Sequence, residues 1–159
     1  MSDVRISDVD RLVAIEAIKQ TKARYYRTMD TKDWDAYAMV FAPDAVMDAR
    51  GETSDGSGYV EGREQIVAFI KRVIGDVLTV HHGHMPEITI TSPTTATAIF
   101  AMEDKLRWPD GSPIKTLHGY GHYHETFERI GGEWLIKTTT LKRLRIDVEL
   151  TNERSVQGS

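Results

Sequence analysis

Apolar residues in the first part of the chain recur at helical spacing. In SDVDRLVAIEAIKQTKARYYRTMD, the positions Val9, Leu12, Ile15, Ala23, Tyr26 and Met29 form one stripe. That pattern predicts a helix from about Ser7 to Asp30, capped by Ser7 or Asp8. KDWDAYAMVFAPDAV follows, and its Trp34, Tyr37 and Phe41 predict a second, short helix that stops before Pro43. Residues 45–50 read as a strand, GETSDGSG as a loop, and GREQIVAFIKRVIGD as a third helix through Ile66, Phe69, Ile70 and Val73. From Val77 the period changes to two, predicting strands near 77–82, 87–91, 94–107, 114–130 and 133–147. SPT, PDGS and GGE mark the turns, and the last two suit hairpins. The core spans about 8–147, and 148–159 read as a polar tail.

Helices followed by long antiparallel strands predict an α+β fold, a curved sheet with the helices inside the curve. A pocket is expected between the two layers. The 159 residues fit a single domain over 1–159 with no repeat, and a chain of this size buries roughly 70% of its unfolded surface without disulfide or metal. There is no cysteine, which removes thiol catalysis and cysteine-based zinc sites. The 20 basic and 24 acidic residues give a net charge of −4, which argues against nucleic acid as a partner. MSDVRISDVDRL has no apolar signal core, and no run approaches a membrane span. A soluble cytoplasmic protein with no membrane partner is expected.

Several residues break these patterns. TATAIFAMEDKLRW puts Ala96, Ala98, Phe100, Met102, Asp104, Leu106 and Trp108 on one face, where Asp104 is the only charge. A buried carboxylate is costly unless it is hydrogen-bonded or protonated. Asp104 is therefore a site candidate, or else is turned outward by a bulge or set at the rim. Asp30 closes the first helix, where the helix dipole disfavours an acid, and the alternative is a cap for the next turn. Tyr25 and Tyr26 face different sides, so at most one lines a pocket. Arg143 shares parity with Leu135, Thr139 and Leu141; it either faces inward to hold an anion, pairs with Asp104, or is exposed.

The histidines allow two chemistries. His82 with His84, and His122 with His124, each place two imidazoles on one side of a strand, a pattern that binds metal if further ligands converge. His118, His122 and His124 also share a face with Tyr120, Thr126 and Glu128, as a solvated or interface face would. The other chemistry is a single histidine base oriented by a carboxylate.

IEAIKQTKARYYRTMDTKDWDAYAMVFAPDAV, VHHGHMPEITITSPTTATAIFAMEDKL and GYGHYHETFERIGGEWLIKTTTLKRLRID resemble the SnoaL-like family of the NTF2-like superfamily, from about Ile15 to Asp147. The nearest likeness is to bile acid 7α-dehydratases, with scytalone dehydratases and hexachlorocyclohexane dehydrochlorinases more distant. The resemblance implies a cone-shaped α+β barrel. It also implies proton abstraction by a His–Asp dyad without metal or organic cofactor. The matching positions are Tyr25, Asp30, His81, His84, Asp104 and Arg143. His82 departs from the bile acid pattern, and residues 50–60 and 114–122 match poorly.

On this reading the chain is a cofactor-independent lyase, with isomerisation as the near neighbour, acting on a small apolar cyclic or polycyclic molecule. His81 is the base, Asp30 its orienting carboxylate, and Tyr25 a hydrogen-bond donor. Asp104 is an acid or orienting group, and Arg143 a stabiliser of negative charge. His84, Tyr26, Met102 and Phe100 are expected to contact substrate. The alternatives are a non-catalytic binding or assembly module and a metal-dependent enzyme. Long exposed strand faces lead to the expectation of a homodimer or homotrimer.

Overall fold

The computed structural model describes residues 6–53 and 55–151. Helix α1 (Asp8–Asp30) begins at Ser7, whose hydroxyl accepts from the Asp10 N–H at 3.1 Å. Its buried stripe is Ala14, Ile18, Tyr25 and Met29, together with Thr21 and Lys22, whereas Val9 and Leu12 are exposed. The stripe is rotated from the expected one because a buried lysine belongs to it. Helix α2 (Trp34–Ala38) is capped by Asp33, and β1 (Phe41–Asp48) follows directly. Phe41 and Pro43 are thus strand residues rather than the end of a helix. Pro43 is exposed within the register shift between Phe41 and Val46, where no ladder hydrogen bond is needed.

After a short 3-10 turn (Arg50–Glu52) come the edge strand β2 (Tyr59–Glu61), which falls just past the segment read as loop, and α3 (Arg63–Ile74). The remaining strands are β3 (Leu78–Ile90), β4 (Thr95–Arg107), β5 (Ile114–Ile130) and β6 (Glu133–Leu150). The two strands read at 77–82 and 87–91 are one, kinked by a register shift between Gly83 and Pro86. The last strand runs three residues into the expected tail; residues 152–159 of that tail lie outside the described residues. Gly131 and Gly132 close the β5–β6 hairpin, both at positive φ as a type I′ turn requires.

The six strands form one curved, unclosed sheet in the order β2-β1-β6-β5-β4-β3. Every pairing is antiparallel except β1 with β6. Helix α1 touches both β3 and β6, so the sheet wraps around it, and α3 packs on β1. Among the described residues, no helix is long and apolar enough to cross a membrane.

Candidate active site

β3 is an edge strand, and the backbone N–H of His81 points away from β4. The C-terminal residue of α1 meets it: Asp30 Oδ2 accepts that N–H at 2.8 Å. The other oxygen, Oδ1, lies 2.6 Å from His81 Nδ1 and accepts the Thr79 hydroxyl at 2.8 Å. Burial pushes the Asp30 carboxyl up, but the His81 ring, the His81 N–H and Thr79 together outweigh it, so Asp30 sits below the ordinary carboxylate value. A carboxylate can only accept, so Nδ1 carries the proton and Nε2 of a neutral ring is left with its lone pair. The ring of Tyr26 lies nearly parallel to the imidazole, at 17° with centroids 6.4 Å apart.

One row of cross-strand partners builds the rest. His81 pairs with Asp104, and Asp104 with Gly119. Asp104 is 2% exposed, and its Oδ2 is 3.8 Å from His81 Nε2, beyond hydrogen-bond reach. Gly119 has no side chain, and the guanidinium of Arg143 occupies that space. It donates from Nη1 and Nη2 to the two Asp104 oxygens at 2.7 and 2.8 Å, and from Nε to Glu52 Oε2 at 2.9 Å. A Cβ on Gly119 would collide with Arg143 Nη1 and Asp104 Oδ1. Arg143 therefore both faces inward and forms the ion pair with Asp104, and its fork is committed to two carboxylates.

His81, Asp104, Arg143 and Glu52 open onto a cavity of about 210 Å³. Its other walls include Tyr25, Met29, Phe69, Leu106, Trp108, Tyr123 and Leu141. The hydroxyls of Tyr25 and Tyr123 are 3.5 Å apart, and burial pushes both phenols well up. Behind them, Lys22 Nζ sits 3.8 Å and 3.6 Å from the ring centres of Tyr25 and Tyr123 and bonds Glu125 at 2.6 Å. Burial pulls the Lys22 ammonium down to about 8 despite Glu125.

Five expected residues thus converge: Tyr25, His81, Asp104 and Arg143 on the cavity wall, with Asp30 behind His81. Four others do not line it. Phe100 and Met102 are core residues, because the part of β4 they occupy lies away from the cavity; Phe100 packs on Phe127. Tyr26 backs the imidazole, with its ring beneath Gly83. His84 is exposed on the outer sheet face, where His84, His82 and His118 approach Glu103 at 3.8, 3.6 and 2.9 Å. Among the described residues, no group of three or more acidic or histidine side chains is arranged to hold a metal. Thr79, Glu52, Gly119 and Tyr123 were not singled out by sequence. Only Gly119 carried a signal, as a glycine inside a strand pattern marking a close approach.

The family description of the SnoaL-like domain matches residues 10–140. The chain is 26% identical over 139 residues to a probable cyclase, FGR4, of Gibberella zeae, which covers 82% of this chain and 91% of that protein. It is similar in fold to a putative scytalone dehydratase from Novosphingobium aromaticivorans (TM-score 0.79, 19% identity, 92% of this chain and 94% of that one). It is also similar to the hexachlorocyclohexane dehydrochlorinase LinA-type3 from Novosphingobium barchaimii (TM-score 0.76, 19% identity, 90% and 94%). At these identities the two structures speak for the fold.

Proposed function

The chain belongs to the SnoaL-like family, and we propose that it is a cofactor-independent lyase eliminating water or another leaving group from a small, uncharged, cyclic molecule. The observation that carries this is the 2.6 Å contact between Asp30 and His81 Nδ1 on the wall of an apolar cavity. It leaves Nε2 as a base turned to that cavity.

In the proposed reaction, Nε2 takes a proton from a carbon acidified by a neighbouring carbonyl. The C–H electron pair becomes the new double bond, and the leaving group departs with its own bonding pair. Asp30 stabilises the imidazolium at Nδ1. Asp104, held ready by Arg143, faces the newly protonated Nε2 at close range. Because Arg143 is committed to Asp104 and Glu52, its role here is to orient Asp104. Tyr25, beside Tyr123, donates to the substrate oxygen. A cavity of about 150 Å³ holds benzene, so ~210 Å³ suits one or two rings rather than a four-ring skeleton. Positioned acid–base catalysis contributes about 10²–10⁴-fold.

The test is a panel of one- and two-ring β-hydroxy ketones, followed by the absorbance of the enone and by product mass. His81→Ala and Asp30→Asn should each lose about a hundredfold or more in turnover while still binding the ligand. Full turnover by His81→Ala rules the mechanism out. The likeness to a probable cyclase favours ring closure by the same base as the second reading. Product mass separates the two, because closure without loss of a leaving group leaves the mass unchanged.

A further inference from the structure

We propose that Lys32 is a positioning residue of this site: through the Thr79 hydroxyl, its ammonium orients Asp30 and moderates the hold of Asp30 on His81. The proposal rests on the dyad reading above and adds a third and a fourth member to it.

The first observation is a backbone that a lysine should avoid. Lys32 has φ 60°, and it is the only non-glycine residue with positive φ among those described. It occupies the position just past the end of α1. Its N–H reaches the Met29 carbonyl at 3.3 Å, and the Asp33 N–H reaches Thr28 at 2.9 Å. That pair of bonds is the Schellman arrangement, in which glycine is the favoured residue because a Cβ is strained there. Glycine would serve the helix end better, so a lysine held there points to a role for its side chain other than stability.

The second observation is where that side chain goes. Lys32 Nζ donates to Thr79 Oγ1 at 3.0 Å. Thr79 is buried and donates to Asp30 Oδ1 at 2.8 Å, and the same oxygen faces His81 Nδ1 at 2.6 Å. An ammonium has three protons and no lone pair, so Thr79 must accept from it. The single hydroxyl proton is then forced toward Asp30. The cation therefore stands at the far end of the chain Lys32, Thr79, Asp30, His81, and it draws negative charge on Asp30 away from the imidazole. Burial weakens the hold of Lys32 on its proton, while the charge of Asp30 strengthens it, as expected of a cation brought in beside a carboxylate. The other charges facing His81 are Asp104, which lies on the opposite side of the ring, and Arg143 and Glu52 beyond it. Lys32 is the cation on the Asp30 side.

The test is an NMR titration of the His81 ring in Lys32→Gly, Lys32→Met and Lys32→Arg, with Asp30→Asn alongside. Lys32→Gly should melt at or above wild type, by about 2–4 °C if the strain is worth one such increment. Both Lys32→Gly and Lys32→Met should move the His81 titration midpoint upward, by roughly half a pH unit or more, because a nearby positive charge is gone. Lys32→Arg should restore the wild-type midpoint. If Lys32→Gly and Lys32→Met both titrate as wild type while Asp30→Asn is shifted, the proposal is overturned and the dyad stands. If Asp30→Asn is unshifted as well, the dyad reading falls with it.

Discussion

Replacing Gly119 with alanine adds one methyl group where the Asp104–Arg143 bridge crosses β5. Gly119 is absent from the positive-φ residues, so its backbone accepts alanine, and by propensity the change should stabilise the strand by about 0.5–1 kcal/mol. The contact works the other way. The new Cβ would overlap Arg143 Nη1 and Asp104 Oδ1. Neither group can swing away freely, since Glu52 holds Arg143 from one side and Asp104 is packed beside His81. At least one of the two guanidinium–carboxylate bonds must break. Removing a partner from a buried ion pair costs about 3–5 kcal/mol, and a partner that is displaced rather than deleted costs roughly half of that. The net expectation is a loss of about 0.5–2 kcal/mol, or about 1–8 °C in Tm at about 2–4 °C per kcal/mol. Urea unfolding at neutral pH measures it, with Gly51→Ala, where no atom lies within 4 Å of the added Cβ, as a near-neutral control. A Gly119→Ala protein as stable as wild type, or more so, refutes the close approach on which this arrangement of the site depends.

Lys22→Met leaves Glu125 buried without its partner and should cost about 3–5 kcal/mol, whereas Lys22→Met combined with Glu125→Leu should recover most of that loss; a double-mutant cycle by urea unfolding decides. Asp30 sits below the ordinary carboxylate value in the folded protein, so its contribution is complete above the unfolded value of about 3.9 and is lost as pH falls through the lower folded value. The stability difference between wild type and Asp30→Asn should accordingly narrow as pH is lowered below about 4, and a difference that widens there contradicts the sign. Outer-face changes such as His84→Ala should leave ligand binding and turnover unchanged, because His84 lies away from the cavity.

The parts of the site that were legible in sequence are those that violate a local pattern. Asp104 is a charge on an apolar strand face, and Asp30 an acid at a helix end. Their partners were harder to read, because Asp30 and His81 are 51 positions apart and meet only through the docking of α1 on an edge strand. Strand alternation gave the inward face of β4 correctly but could not say which residues along it meet the cavity and which the core. Phe100 and Met102 share parity with Asp104 yet lie in the core. Lys22 and Glu125 hid each other: each is a charge on an inward face, and burial is tolerable only because they pair across 103 positions. That pairing also shifted the buried stripe of α1 away from Val9 and Leu12. Glu52, in a loop read by composition, offered no signal at all. Phe41 reads as helical in sequence because a proline in a bulged strand resembles the stop that follows a helix.

The central claim is that Asp30 fixes the His81 tautomer and leaves Nε2 free as the base. The most direct measurement is nitrogen NMR of the His81 ring, assigned by its loss in His81→Ala, across the titration in wild type and in Asp30→Asn. The account predicts that the neutral ring in wild type carries its proton on Nδ1, and that Asp30→Asn abolishes that preference and lowers the titration midpoint, because a carboxylate favours the charged ring. A wild-type ring protonated on Nε2, or a spectrum unchanged by Asp30→Asn, contradicts it.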